Sequence, residues 1–145
     1  MQTIVVLNGP NLGRLGSREP DVYGDGDLTA LRDILRRDAA ETTTVDVRQT
    51  DDESQMIAWL HEAADAHTPV IINPAAFTHY SYALRDTVAL VTSGGTPVIE
   101  VHITNPHARE SFRHTSVISA VASGVIAGFG FDSYRLALTQ LRRND

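Results

Sequence analysis

A chain of 145 residues with 42% hydrophobic, 21% charged and 6% aromatic residues is long enough to bury a real core as one domain and too apolar to stay disordered. Its formal charge of −6 argues against a nucleic-acid partner, which asks for a basic stripe, and no apolar run approaches the ~20 residues of a membrane helix. The absence of cysteine excludes disulfides, thiolate metal sites and a thiol nucleophile; because all twelve basic residues are arginine, Schiff-base chemistry, pyridoxal-phosphate chemistry and a lysine-bearing phosphate loop are excluded too.

Met1-Gln2-Thr3 leads straight into Ile4–Leu7 with no cationic segment or cleavage site, so a cytoplasmic protein is expected. Thr3–Asn8 reads as the first strand. The stretch that follows, NGPNLGRLGSREPDVYG at residues 8 to 24, holds four glycines and almost nothing to fill a core. Its glycines fit no dinucleotide or phosphate fingerprint, and Pro10 removes a donor that a phosphate would need. A long connection without structure of its own, hinged by Gly13, Gly16, Gly24 and Gly26, is expected to be a mobile lid over about residues 13–26. Leu28–Ala40 then reads as an amphipathic helix and Thr44–Gln49 as a strand. Glu53–Ala66 is a second helix with Asp51 or Asp52 as its N-cap. Pro69 stops the chain before a strand at Val70–Asn73, and a helix over Tyr82–Thr92 ends at Ser93-Gly94-Gly95. After Pro97 come a strand at Val98–His102, a short helix near Ala108–Thr115, a strand at Gly124–Phe129 and a last helix at Ser133–Arg142. Alternating β and α elements imply a parallel sheet covered by helices on both faces, because crossovers are right-handed. Five strands suggest a flavodoxin-like α/β three-layer sandwich of order 2-1-3-4-5, a single domain over residues 1–145.

In such sheets ligands bind outside the carboxyl ends of the strands. Apolar strand bodies here run out in Asn8 and Asn11, in Asn73 followed by His79, and in His102 followed by Thr104. Arg18 and Tyr23 share the lid: free tyrosine titrates at about 10, and a guanidinium beside it would favour the phenolate and make it a credible base. The plainer alternative is that Tyr23 packs the loop. His102 lies two residues beyond Glu100, hence on the same strand face, the spacing for a carboxylate that orients an imidazole. Arg109 and Arg113, four apart on the short helix, could meet an anion. Metal is not expected: there is no H-E-x-x-H, and His61 and His67 lie on the second helix. No G-x-S-x-G elbow supports serine chemistry, and asparagines stand where a phospho-receiver domain needs acidic residues.

NGPNLGRLGSREPDVYG, INPAAFTHYSYALRD and IEVHITNPHARESFRHTS resemble, over essentially the whole chain, the three signature blocks of type II 3-dehydroquinate dehydratase. The resemblance implies a flavodoxin-like fold, a small anionic substrate, 3-dehydroquinate, and its dehydration to 3-dehydroshikimate in the shikimate pathway or quinate catabolism. It implies no cofactor, no metal, no membrane, and a homo-oligomer, a dodecamer built as a tetramer of trimers. Tyr23 would be the base, Arg18 would lower its pKa, Asn11 would hold a water on the enolate, and His102, positioned by Glu100, would protonate the departing hydroxyl. Asn73, Ile103 and Thr104 resemble the carboxylate binders, and His79 and Arg113 the hydroxyl binders. Asp86 resembles a residue lent by a neighbouring subunit, and Arg109 a lid contact. The link GDGDL, Phe77, Tyr80 and Thr104 depart from the family pattern without removing a catalytic group. The competing hypothesis is a non-catalytic homologue that binds a quinate-like acid.

Overall fold

The computed structural model describes residues 2–17, 19–24 and 26–143. Strands β1 (Gln2–Asn8), β2 (Thr43–Gln49), β3 (Val70–Asn73), β4 (Val98–His102) and β5 (Gly124–Ala127) form one parallel sheet of order β2-β1-β3-β4-β5, as expected. Helices α1 (Pro20–Tyr23), α2 (Leu28–Ala39), α3 (Glu53–Ala66), α4 (Tyr82–Ser93) and α5 (Asp132–Arg142) accompany it. The period of two along each strand sorts the core into two layers. Ile4 and Val6 of β1, Ile71 of β3, and Ile99 and Val101 of β4 pack with Leu31 and Leu35 of α2 and Tyr134 and Leu138 of α5. Val5, Leu7, Val70, Ile72 and Val98 point the other way and meet Met56 and Leu60 of α3 and Leu84 and Val88 of α4. Covered on both faces, the central strands carry apolar residues at consecutive positions.

Three helices begin on a side-chain cap. Asp27 accepts from the Ala30 amide, Asp52 from the Ser54 amide and Ser81 from the Leu84 amide, each satisfying a donor that the first turn leaves open. The cap of α3 is thus Asp52. Asp51 instead accepts from the Asn11 backbone at 2.9 Å and from Gln49 Nε2 at 3.0 Å, tying the start of the glycine-rich stretch to the end of β2.

Three expectations need correction. The stretch after β1 has structure: a 3-10 turn at Leu12–Arg14 and the short α1, with Leu12, Leu15 and Tyr23 buried in the layer under α2 and α5. Three apolar side chains suffice to pin a polar segment, and Pro20 pre-sets the first helical turn. The helix expected near Ala108–Thr115 is two 3-10 turns, Pro106–Ala108 and Ser111–His114, with Arg109 extended between them at φ −120 and ψ −160. Asn105 draws the His107 amide onto its side chain at 3.0 Å, and so short a segment cannot offset the cost of helix nucleation. Arg109 and Arg113 therefore do not share a helix face. Finally, β5 stops at Ala127 and not at Phe129, because Gly128, at φ 96, turns the chain away from the sheet.

Candidate active site

Asn8 and Asn73 end neighbouring strands in register, and both belong to the face that meets α5. Between them stands Tyr134, fully buried. Its hydroxyl donates to Asn8 Oδ1 at 2.7 Å and accepts from Asn73 Nδ2 at 2.8 Å, while Asn8 Nδ2 donates to the Arg48 carbonyl and Asn73 Oδ1 accepts from the Ala75 amide. Burial pushes the Tyr134 phenol far up, so it remains a protonated donor. The network fixes the plane of the Asn73 amide at the rim. Sequence reasoning missed Tyr134, since one aromatic on the apolar stripe of a helix looks like core filling. The available signal was the pair of asparagines ending adjacent buried strands, which need a buried partner.

Beyond Asn73 the chain turns through Ala75, held at φ 51, into a 3-10 turn at Ala75–His79. That turn delivers His79, whose Nδ1–H donates to the Thr115 carbonyl at 2.8 Å. Burial lowers the His79 pKa below the ordinary histidine value; the Thr115 carbonyl opposes the shift and the Arg113 charge adds to it. His79 is therefore neutral near pH 7. With Nδ1 carrying the proton, its Nε2 is left as an acceptor.

On β4, Val98, Glu100 and His102 share a face. Glu100 is 1% exposed, and His102 Nε2–H donates to its Oε2 at 2.5 Å. The carboxylate thereby sets the orientation of the imidazole and leaves Nδ1 unclaimed. Ser116 and Ser119, to which the sequence reading assigned no role, also reach Glu100.

Tyr23 is buried at the end of α1 with the Arg109 guanidinium 5.1 Å from its ring centre, a cation over the electron-rich face. Arg109 Nη1 also donates to Thr104 Oγ1 at 3.2 Å, so the arginine expected as a lid contact links the lid segment to the end of β4. Arg18, expected beside Tyr23, lies outside the described residues. Arg113 pairs with Glu110 at 3.1 Å and lies over the Phe112 ring.

These side chains line one cavity of about 40 Å³: Tyr23, Asn73, His79, His102, Ile103, Thr104, Arg109 and Arg113, closed by Leu12, Ala75, Ala76 and Pro106. The structure thus brings together residues from three separated stretches of the sequence. Three expected residues do not line it. Glu100 stands behind His102; Asn11, with φ 70, is exposed beside the lining residue Leu12; and Asp86 sits on the outer face of α4, its side chain 80% exposed and 3.6 Å from Arg85. Among the described residues no group of three or more His, Asp or Glu could hold a metal ion.

A phenol, a carboxylate-backed imidazole and two guanidiniums around one cavity at the strand ends define an acid–base enzyme site for a small anion on a flavodoxin-like scaffold. Residues 2–142 match the family model of class II dehydroquinases, and the chain belongs to that family. It is similar to a 3-dehydroquinate dehydratase of Salinispora arenicola, 55% identical over 139 residues and 95% of each chain. A 3-dehydroquinate dehydratase of Halalkalibacterium halodurans is 52% identical over 142 residues, 97% of this chain and 96% of the other. The crystal structure of a type II dehydroquinase from Propionibacterium acnes superposes with a TM-score of 0.93 at 51% identity, covering 97% of this chain and 96% of that one.

Proposed function

We propose that this chain removes water from 3-dehydroquinate to give 3-dehydroshikimate by anti elimination through an enolate, a step of the shikimate pathway or of quinate breakdown. Tyr23 takes the proton next to the ketone, and the C–H electron pair moves onto the ketone oxygen. Asn11 holds a water against that oxygen. When the enolate collapses, the carbon–carbon double bond forms and the C–O bond breaks as the imidazolium form of His102, its Nε2–H kept on Glu100, hands the proton on Nδ1 to the departing hydroxyl, which leaves as water. Base and acid come from different elements, α1 and the end of β4, which suits removal from opposite faces of a ring. Asn73, the backbone at Ile103 and Thr104, and the Thr104 hydroxyl take the substrate carboxylate. His79 and Arg113 take ring hydroxyls, Arg109 closes the lid segment over them, and Arg18 brings positive charge towards Tyr23.

The observation that carries this reading is that His102, backed by Glu100, lines the same cavity as Tyr23. Purified protein mixed with 3-dehydroquinate should give ultraviolet absorbance from the conjugated enone of the product, at a rate proportional to protein. Heat release on mixing with a flat absorbance trace would point to the non-catalytic binding homologue, which no feature of the site favours.

Residues 1–145 act as a single domain with a lid over about residues 13–26. Tyr23 of this segment and Leu12 just before it line the cavity, so movement of the segment would change the access of substrate. The chain works in the cytoplasm as a dodecamer, a tetramer of trimers, in which Asp86 reaches the site of a neighbouring subunit. Among the described residues no helix is long and apolar enough to cross a membrane.

A further inference from the structure

After the second 3-10 turn, at Ser111–His114, the chain folds back over the α3 and α4 side of the sheet. The Val117 amide donates to the Thr78 carbonyl at 2.8 Å, and Ile118 is fully buried in that core layer. The return brings two hydroxyls onto the buried carboxylate of Glu100. Ser119 Oγ–H donates to Oε1 at 2.8 Å. Ser116 Oγ accepts from the amides of Ile118 at 3.1 Å and Ser119 at 3.0 Å, which occupies its lone pairs and directs its proton to Glu100, 3.3 Å from either oxygen.

Glu100 therefore receives His102 on Oε2, Ser119 on Oε1 and Ser116 between them. These donors replace the water that a carboxyl group this deeply buried has lost. A carboxylate turned about its Cγ–Cδ bond would lose the in-plane contact with the His102 Nε2–H. Other charged or titratable groups near the pair are His79 and Arg113 on the substrate side, and His107 and His114 along a second cavity behind it. None of these donates to Glu100, whereas the Ser119 hydroxyl, among the described residues, bonds to nothing else.

We propose that Ser119, supported by Ser116, is a positioning residue for the elimination: its hydroxyl holds the Glu100 carboxyl group in plane, so that Glu100 presents the His102 imidazole to the cavity. The assignment rests on His102 being the proton donor.

The test is Ser119→Ala beside Ser119→Thr, which keeps a hydroxyl. In Ser119→Ala, kcat should fall about tenfold, the size of one hydrogen bond to a charged group, with KM within about twofold. Ser119→Thr should recover most of the rate. The short His102–Glu100 bond should give a far-downfield proton resonance in wild-type protein and in Ser119→Thr, and that signal should be lost or move upfield in Ser119→Ala. A purely structural serine would lower the melting temperature and leave that resonance in place. If Ser119→Ala does not fold, Ser119→Cys, close in size but a poor donor, should show the same loss of rate and signal. An unchanged kcat and unchanged resonance in either variant, with wild-type protein active, overturns the role of Ser119 and leaves the dehydratase reading standing. Wild-type protein without turnover overturns the reading beneath it.

Discussion

The hydroxyl of Tyr23 can be removed without disturbing the packing that holds its ring, since the Arg109 guanidinium and the layer under α2 and α5 contact the ring. Tyr23→Phe should lower kcat by roughly 10²- to 10⁴-fold, the range for loss of a general base, while calorimetric affinity for substrate stays within a few-fold. Matching losses in both would count against a base. His79 supports a second expectation. The folded protein protonates it at a lower pH than the unfolded chain does, so below about pH 6.5 the unfolded state binds more protons and stability falls as pH drops, until His79 itself charges; above that pH its contribution is constant. Urea unfolding at pH 8 and pH 5 should show wild-type protein losing more stability than His79→Gln. A ring titration by NMR at or above 6.5 would contradict this. At this scale the sequence was highly legible for groups written into motifs, such as the Glu100–His102 spacing. It was silent on Tyr134 and Ser119, whose partners lie 61 and 19 residues away along the chain.

Elements carry the site because their ends are pinned to one another. Gly9, the first residue after β1, donates its amide to the Asn73 carbonyl at 2.8 Å, and a Cβ at this position would sit 2.6 Å from the Pro74 carbonyl oxygen and 2.8 Å from its carbon. Both atoms are backbone and cannot rotate away. Gly9→Ala should therefore cost about 1–3 kcal/mol, read as a lower urea midpoint at unchanged slope, and should raise KM because the displaced strand end bears Asn73. A variant as stable as wild type would show that the two loops separate freely. Strand and helix identities were legible from Val and Ile runs, capping residues and prolines. The two 3-10 turns around Arg109 were not, because the competition between an Asx turn and a helix is settled by the neighbours of Asn105 in space. The buried Leu12, Leu15 and Tyr23 were also hidden, since isolated apolar residues among glycines carry no period.

For the whole molecule, the proposed dodecamer can be tested through two features of the surface. The edge strand β5 leaves Val125 48% exposed with Phe129, 64% exposed, just beyond it, and Asp86 projects from α4 with no place in its own cavity. Native mass spectrometry should find twelve subunits. If Asp86 reaches a neighbour's site as proposed, Asp86→Ala and Tyr23→Phe should each be nearly inactive alone yet regain activity when refolded together, because mixed trimers would contain sites in which both residues are intact. Mixtures no more active than their components would mean that Asp86 serves only its own subunit or none.

Local chemistry and period were enough to specify five strands, their parallel order and the polar rim, because burial on two faces and right-handed crossovers leave few other ways to cover such strands. Packing in three dimensions chose which guanidinium lies over Tyr23, which hydroxyls reach Glu100 and how Asn73 is aimed. Those choices depend on side chains far apart along the chain meeting at strand ends, where hydrogen-bond geometry, and not pattern, selects the partner.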